Sequence, residues 1–216
     1  MKNLFTTAAA LATMSIGSAT HAQGSGDWYV SVFAGYSSIG SVDTDFNGFE
    51  VEHEFDDNGI FGVSVGRALQ PGLRAEVELS YAQYDGGDVS YDGSLSFDET
   101  NGELSTTFLM GNIWYDVPTA SFGGGVPYIG AGLGAVQLDA DTTFGGFPFG
   151  YGDTVTGLAY QIGAGVQFPV GAGMIDVAYR LKAASGLDID DNDGSGVYED
   201  GTFLSNNLQI GYVTQF

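Results

Sequence analysis

Leu73-Arg74-Ala75-Glu76-Val77-Glu78-Leu79-Ser80-Tyr81 alternates without a break. Side chains of an extended chain point to opposite faces in turn. Leu73, Ala75, Val77, Leu79 and Tyr81 therefore share one face, and Arg74, Glu76, Glu78 and Ser80 share the other. The same period of two recurs along the chain. It predicts strands over Asp27–Ser37, Gly59–Ala68, Leu73–Tyr84, Thr106–Val117, Tyr128–Leu138, Thr156–Phe168, Met174–Ala184 and Phe203–Phe216. Thr106–Val117 is bulky on both faces, with Phe108, Met110 and Trp114 against Leu109, Ile113 and Tyr115. Its inward side stays open at this level.

A soluble sandwich also alternates, with its bulky face in a core and its polar face in water. Two features argue against one here. The face opposite the apolar one is rich in glycine: Gly130, Gly132 and Gly134 in one segment, Gly163 and Gly165 in another. Glycine weakens a strand, so a solvent-facing strand has no use for it. A small closed barrel does need small residues inside, because eight strands leave little interior volume. The connections also alternate in length. Leu69–Gly72, Pro118–Pro127 and Pro169–Gly173 are the shorter links; Ser38–Asn58, Asp85–Asn101, Asp139–Asp153 and Ser185–Thr202 read as long loops. Short turns at one end and long loops at the other are the pattern of a membrane-spanning barrel.

The chain has 216 residues, 5 Lys+Arg and 27 Asp+Glu, for a formal net charge of −22. Such a balance offers no electrostatic footprint for nucleic acid. Cysteine is absent, so disulfides, thiolate metal sites and a Cys nucleophile are excluded. Met1–Ala22 reads as a secretory signal peptide: Lys2, an apolar stretch through Leu4–Ile16, and Thr20-His21-Ala22 as the small-x-small cleavage site. Residues 23–216 are then the mature domain. With Gly102 and Glu103 counted with Asp85–Asn101, the long loops account for 22 of the 27 acids. No acid falls on a predicted lipid face, where a basic residue would cost about 2–4 kcal/mol and an acid less.

With these segments in order, the chain resembles the small eight-stranded outer-membrane barrels of Gram-negative bacteria, of the OmpA-transmembrane, Opa and OmpX type. The stretches that carry the resemblance are Trp28-Tyr29-Val30, Leu73–Tyr81, Asn112-Ile113-Trp114-Tyr115-Asp116, Pro127–Gly134, Tyr160–Val166 and Val177-Ala178-Tyr179-Arg180. The last is Leu208–Phe216, which looks like the family's terminal signal. Leu208, Ile210, Tyr212 and Phe216 keep its spacing, and Thr214 departs from it. The resemblance implies an up-and-down antiparallel transmembrane β-barrel with periplasmic termini, in the outer-membrane bilayer, whose last strand is read by the barrel assembly machinery. Unlike full-length OmpA, no peptidoglycan-binding domain is expected after Phe216. Ten strands are the alternative, because Phe49–Phe55 and Val89–Phe97 also alternate.

The inward polar residues are Arg74, Glu76, Glu78, Asn112, Gln161, Asp176, Arg180, Lys182 and Gln209. The third and seventh strands of an eight-strand barrel lie opposite each other. The expectation is a cross-lumen ion-pair network that plugs the barrel, with Glu78 and Arg180 both near mid-height. Charges in so narrow an interior need partners, because their desolvation is costly. The alternative is a narrow ion-conducting channel lined by the same charges. Catalysis is not expected: the mature chain has one histidine, His53, and lacks the parts of a triad. No cofactor is expected, and Gly130-x-Gly132-x-Gly134 has the wrong spacing for a dinucleotide fingerprint. Asp188–Gly194 looks like a calcium loop but fails the strict motif, leaving Asp190, Asp191 and Asp193 as a weak metal candidate. Phe144–Tyr151 reads either as an aromatic belt or cover for the barrel mouth, or as an adhesive patch. The reading is a non-enzymatic barrel with acidic loops and an envelope-structural or surface-interaction role. Divalent cations and host or surface ligands are the candidate partners of those loops.

Overall fold

The structure is a computed structural model, and it describes residues 28–39, 42–46, 49–56, 58–91, 95–98, 102–117, 122–143, 150–190 and 197–216. The signal-peptide segment lies outside the described residues. The elements are β1 (Trp28–Ile39), β2 (Val42–Phe46), β3 (Phe49–Asp56), β4 (Asn58–Gln70), β5 (Leu73–Tyr91), β6 (Leu95–Asp98), β7 (Gly102–Asp116), β8 (Val126–Thr143), β9 (Gly150–Val170), β10 (Gly173–Asp190) and β11 (Val197–Gln215).

Eight of these close a barrel, in the order β1, β4, β5, β7, β8, β9, β10, β11, with every pairing antiparallel and β11 returning to β1. The stagger follows from the register. From Leu73 the direct partners run through Tyr115, Ile129, Ala164, Tyr179, Leu208, Tyr36 and Gly59. With Ile60 opposite Ala82, Gly59 falls opposite Gln83, ten residues beyond Leu73 on the starting strand. A closed sheet has to stagger in this way because its strands tilt.

The expected segments are present, but most of the strands run much farther than expected. β9 has 21 residues and β5 and β11 have 19 each. Much of what the sequence suggested as loop is strand. Asp139 and Asp141 stand on β8, Asp153 on β9, Asp85 and Asp88 on β5, and Glu199 and Asp200 on β11. Acids have low strand propensity, yet a ladder already running supplies partners for the next N–H and C=O groups. Phe49–Phe55 and Val89–Phe97 are also largely strand. However, β2 and β3 form a hairpin on the end of the wall, and among the described residues β6 pairs only with Asp88–Tyr91 of β5. Below them β4, β5 and β7 pair directly, so the wall closes with eight strands and the ten-strand alternative falls.

The short turns follow from local chemistry. Pro71 presets φ at the first turn position, and Gly72 takes φ +80 at the second, which suits a type II turn. Gly123 and Gly124 take φ +60 and +88, the paired positive values of a type I′ hairpin turn, between Phe122 and Gly125.

In the half nearer these turns, the apolar face looks outward. Val32, Phe61, Val77, Leu109, Ile129, Leu133, Ile162, Leu208 and Ile210 are all exposed. Toward the other end, Gln83, Ser105, Thr107, Gln137 and Thr156 take the outward positions on the same strands. The large inward side chains there are mostly apolar, with Ser37, Thr106 and Ser205 buried among them. Ile39, Ile60, Tyr84, Leu104, Phe108, Leu138, Leu187 and Phe203 are buried in one cluster, a collar inside the upper wall. The inward glycines lie under large side chains: Gly130 beneath Trp114, Gly165 beneath Tyr128, Gly66 beneath Tyr29. The inward face of β7, open from sequence, is Leu104, Thr106, Phe108, Met110, Asn112, Trp114 and Asp116.

Candidate functional site in the lumen

β5 and β10 stand four strands apart in a wall of eight, so their inward faces look at each other across the lumen. Lys182 Nζ lies 2.5 Å from Glu78 Oε1, and both side chains are buried. Lys182 also donates to Ser80 Oγ at 2.6 Å. The second oxygen of Glu78 accepts from Asn112 Nδ2 at 3.1 Å and Gln161 Nε2 at 3.2 Å. Gln161 further donates to Asn112 Oδ1 at 2.5 Å. Four strands thus converge on one carboxylate. A buried pair is tolerated only when its remaining donors and acceptors are satisfied in this manner.

Nearer the short turns, Arg74 grips Asp116: Nε reaches Oδ1 and Oδ2 at 3.1 and 3.0 Å, and Nη2 reaches Oδ1 at 2.8 Å. Both are buried. Planar guanidinium and carboxylate suit this two-point contact. Glu76 accepts from Tyr29 Oη at 2.9 Å, Asn112 Nδ2 at 3.2 Å and Trp114 Nε1 at 3.1 Å. Asp176 accepts from Tyr128 Oη at 2.8 Å.

Arg180 is placed differently from its expected position opposite Glu78. Its guanidinium lies 3.7 Å from the Trp114 ring centroid, and Nη2 donates to Tyr128 Oη at 3.0 Å. The stagger explains the exchange, because four strands around the wall the register climbs by half of its ten-residue step. Trp114 sits in the same register row as Arg180 through Gly130 and Gly163, two glycines that leave the ring and guanidinium room to meet. Cation–π stacking in a desolvated site contributes about 2 kcal/mol. Gln209 is buried on the inward face of the adjacent β11, opposite Ala178. Arg74, Glu76, Asp176, Arg180 and Gln209, with Ser31 and Ser64, line a small polar cavity of about 10 Å³, room for no more than about one water molecule.

The nine expected lumen residues all face inward. Glu78, Asn112, Gln161 and Lys182 form one group, Glu76 joins it through Asn112, and Asp176 and Arg180 share Tyr128. Sequence reasoning passed over Asp116, Tyr29, Tyr128 and Trp114 as members of this network. Asp116 carried a signal, since it is in phase with Asn112 on its strand. In the sequence pattern the aromatics count by their apolar bodies, while the network uses their O–H and N–H groups.

His53 stands on β3, opposite Val42 and Val89. Asp190 ends β10 opposite Val197, while Asp191 and Asp193 lie outside the described residues. Among the described residues no group of three acids or histidines is arranged to hold a metal. Phe144–Phe149 also lies outside the described residues. The terminal residues Leu208, Ile210 and Phe216 are exposed on the outer face of the wall, with Tyr212 half-buried.

Comparison with known proteins agrees with this architecture. The family model described as the outer membrane protein beta-barrel domain matches residues 7–216. No curated protein matches the chain. Among solved structures, the chain is similar to Neisserial surface protein A, at 17% identity and a TM-score of 0.58, covering 88% of this chain and 97% of that one. It is also similar to the attachment invasion locus protein Ail of Yersinia pestis, at 17% identity, a TM-score of 0.45 and coverage of 88% and 99%. OprG of Pseudomonas aeruginosa matches at 14% identity, a TM-score of 0.48 and coverage of 88% and 98%. With residues 7–216 matched and eight strands closed around a filled lumen, the chain belongs to the outer membrane protein beta-barrel domain family and resides in the Gram-negative outer membrane.

Proposed function

We propose that the protein is a closed, non-enzymatic surface barrel, in which the lumen network holds the wall together and the long acidic hairpins face the exterior. The observation that carries this reading is the Glu78–Lys182 pair at 2.5 Å, buried in mid-lumen with Asn112 and Gln161 filling the space beside it. Side chains from opposite walls meet there, which supports a closed lumen. The hairpins, with acids on β2, β3, β5, β8 and β9, offer divalent cations and external ligands a carboxylate surface. Met1–Ala22 acts as the export leader. Leu208, Ile210, Tyr212 and Phe216 present the assembly signal of the last strand to the barrel assembly machinery. The absence of Cys and the single mature histidine support a role without catalysis.

Planar-bilayer conductance on protein whose folding is checked by heat-modifiable gel mobility tests the closed state. The expected trace is flat. A steady open channel of nanosiemens size would replace this reading with the narrow-pore alternative.

A further inference from the structure

We infer that the permeability barrier on the outer side is the apolar collar, and that the Glu78–Lys182 pair beneath it is dispensable for keeping ions out. This inference rests on the closed-barrel reading above and assigns the closure to particular residues. Phe203 of β11 packs on Phe108 of β7 at 5.9 Å between ring centroids, and on Tyr84 of β5 at 6.4 Å. Leu104 and Leu138 join them, and all five are buried. β5, β7 and β8 form one side of the wall and β11 stands across from β7 and β8, so these side chains meet through the lumen. Lys182 Nζ lies 4.9 Å from the Phe108 ring, which places the ion pair immediately below the collar. An apolar constriction excludes ions because it does not wet. An ion pair, by contrast, can exchange its partners for water. In this wall the two are stacked in series, and ions from outside meet the apolar layer first.

The chain contains no cysteine, so a single introduced thiol reports access without background. Ser205 is buried two residues below Phe203 on the same inward face of β11. The experiment uses the whole barrel in liposomes, with gel mobility as the folding check. In the first arm, Glu78→Gln with Lys182→Met removes both charges while keeping the volumes. The expected result is no conductance, as for the parent. If the parent is closed and this variant conducts, the ion pair is the barrier and the inference fails, leaving the closed-barrel reading intact. If the parent itself conducts, the closed-barrel reading fails first. In the second arm, Ser205→Cys is exposed to a charged, membrane-impermeant thiol reagent from the hairpin side. Labelling is expected to be negligible with the collar intact, and to rise at least tenfold when Phe108→Ser and Phe203→Ser are added. Labelling through an intact collar, or none through the opened one, overturns the assignment. If the double variant does not fold, Phe203→Ala alone takes its place with the same criterion.

Discussion

On the half of the wall nearer the short turns, Val77 and Ile113 face outward while Glu78 and Asn112 face the lumen. Farther along the same two strands, Gln83 and Thr107 face out while Tyr84 and Phe108 face in. The alternation never skips a residue there, yet the polar and apolar sides have changed places. The surroundings have changed, not the strand. Where lipid touches the outside, apolar side chains belong there and charges must find partners in the lumen. Where water touches the outside, the hydrophobic effect drives apolar side chains inward, as in a soluble barrel. The level at which the exchange occurs, near Tyr81 on β5, marks the outer edge of the apolar belt.

This comparison makes predictions of graded size. The largest concerns the polar half. Glu78→Ala leaves Lys182 buried without its counter-charge, and about 3–5 kcal/mol of stability should be lost. Glu78→Gln with Lys182→Met should recover most of it. Urea unfolding in lipid vesicles, followed by gel mobility, measures both. Equal losses in the two variants would mean that the pair is not what the lower lumen depends on. In the apolar half, Phe203→Ala should cost about 3–5 kcal/mol through the cavity it leaves. A loss below 1 kcal/mol would show that the collar is loosely packed.

The outer face gives a sharper contrast. Val77→Lys puts a charge among lipid chains and should cost about 2–4 kcal/mol. Gln83→Lys, six residues along on the same face, should fall within about 0.5 kcal/mol of the parent. Similar costs at both positions would erase the proposed boundary. The smallest effect belongs to the hairpin end. Asp85 stands directly opposite Asp56 on one neighbour and Glu103 on the other, and Glu103 is opposite Asp141 in turn. Like charges in directly opposed positions are unfavourable, so Asp85→Asn should stabilise these ladders by about 0.2–1 kcal/mol. Amide exchange of β3, β5 and β7 would show it as slower exchange. The gain should shrink in high salt, because exposed charges are screened.

The terminal strand tests the biogenesis reading. Phe216 is two-thirds exposed on the outer face. Phe216→Ser should leave the lumen untouched and reduce the folded fraction in the outer membrane several-fold. Normal insertion would count against Leu208, Ile210, Tyr212 and Phe216 as the assembly signal.

The amino-acid sequence by itself determined the class of fold, the eight closing strands, the face of most of them and the inward position of all nine polar lumen residues. Each of these depends on a period of two along one segment, and a period is a local property. Partners were a different matter. Glu78 meets Lys182 and Arg180 meets Trp114 because the register climbs ten residues around the wall, and that stagger exists only once the barrel is closed. Strand lengths were also decided there. Acidic residues such as Asp139 and Asp153 read as loop when their own propensity is considered, but they continue as strand where a neighbouring ladder satisfies their backbone. The collar was equally invisible. Phe108, Tyr84 and Phe203 sit on three strands far apart in the chain, and only closure of the sheet turns their inward faces toward one another.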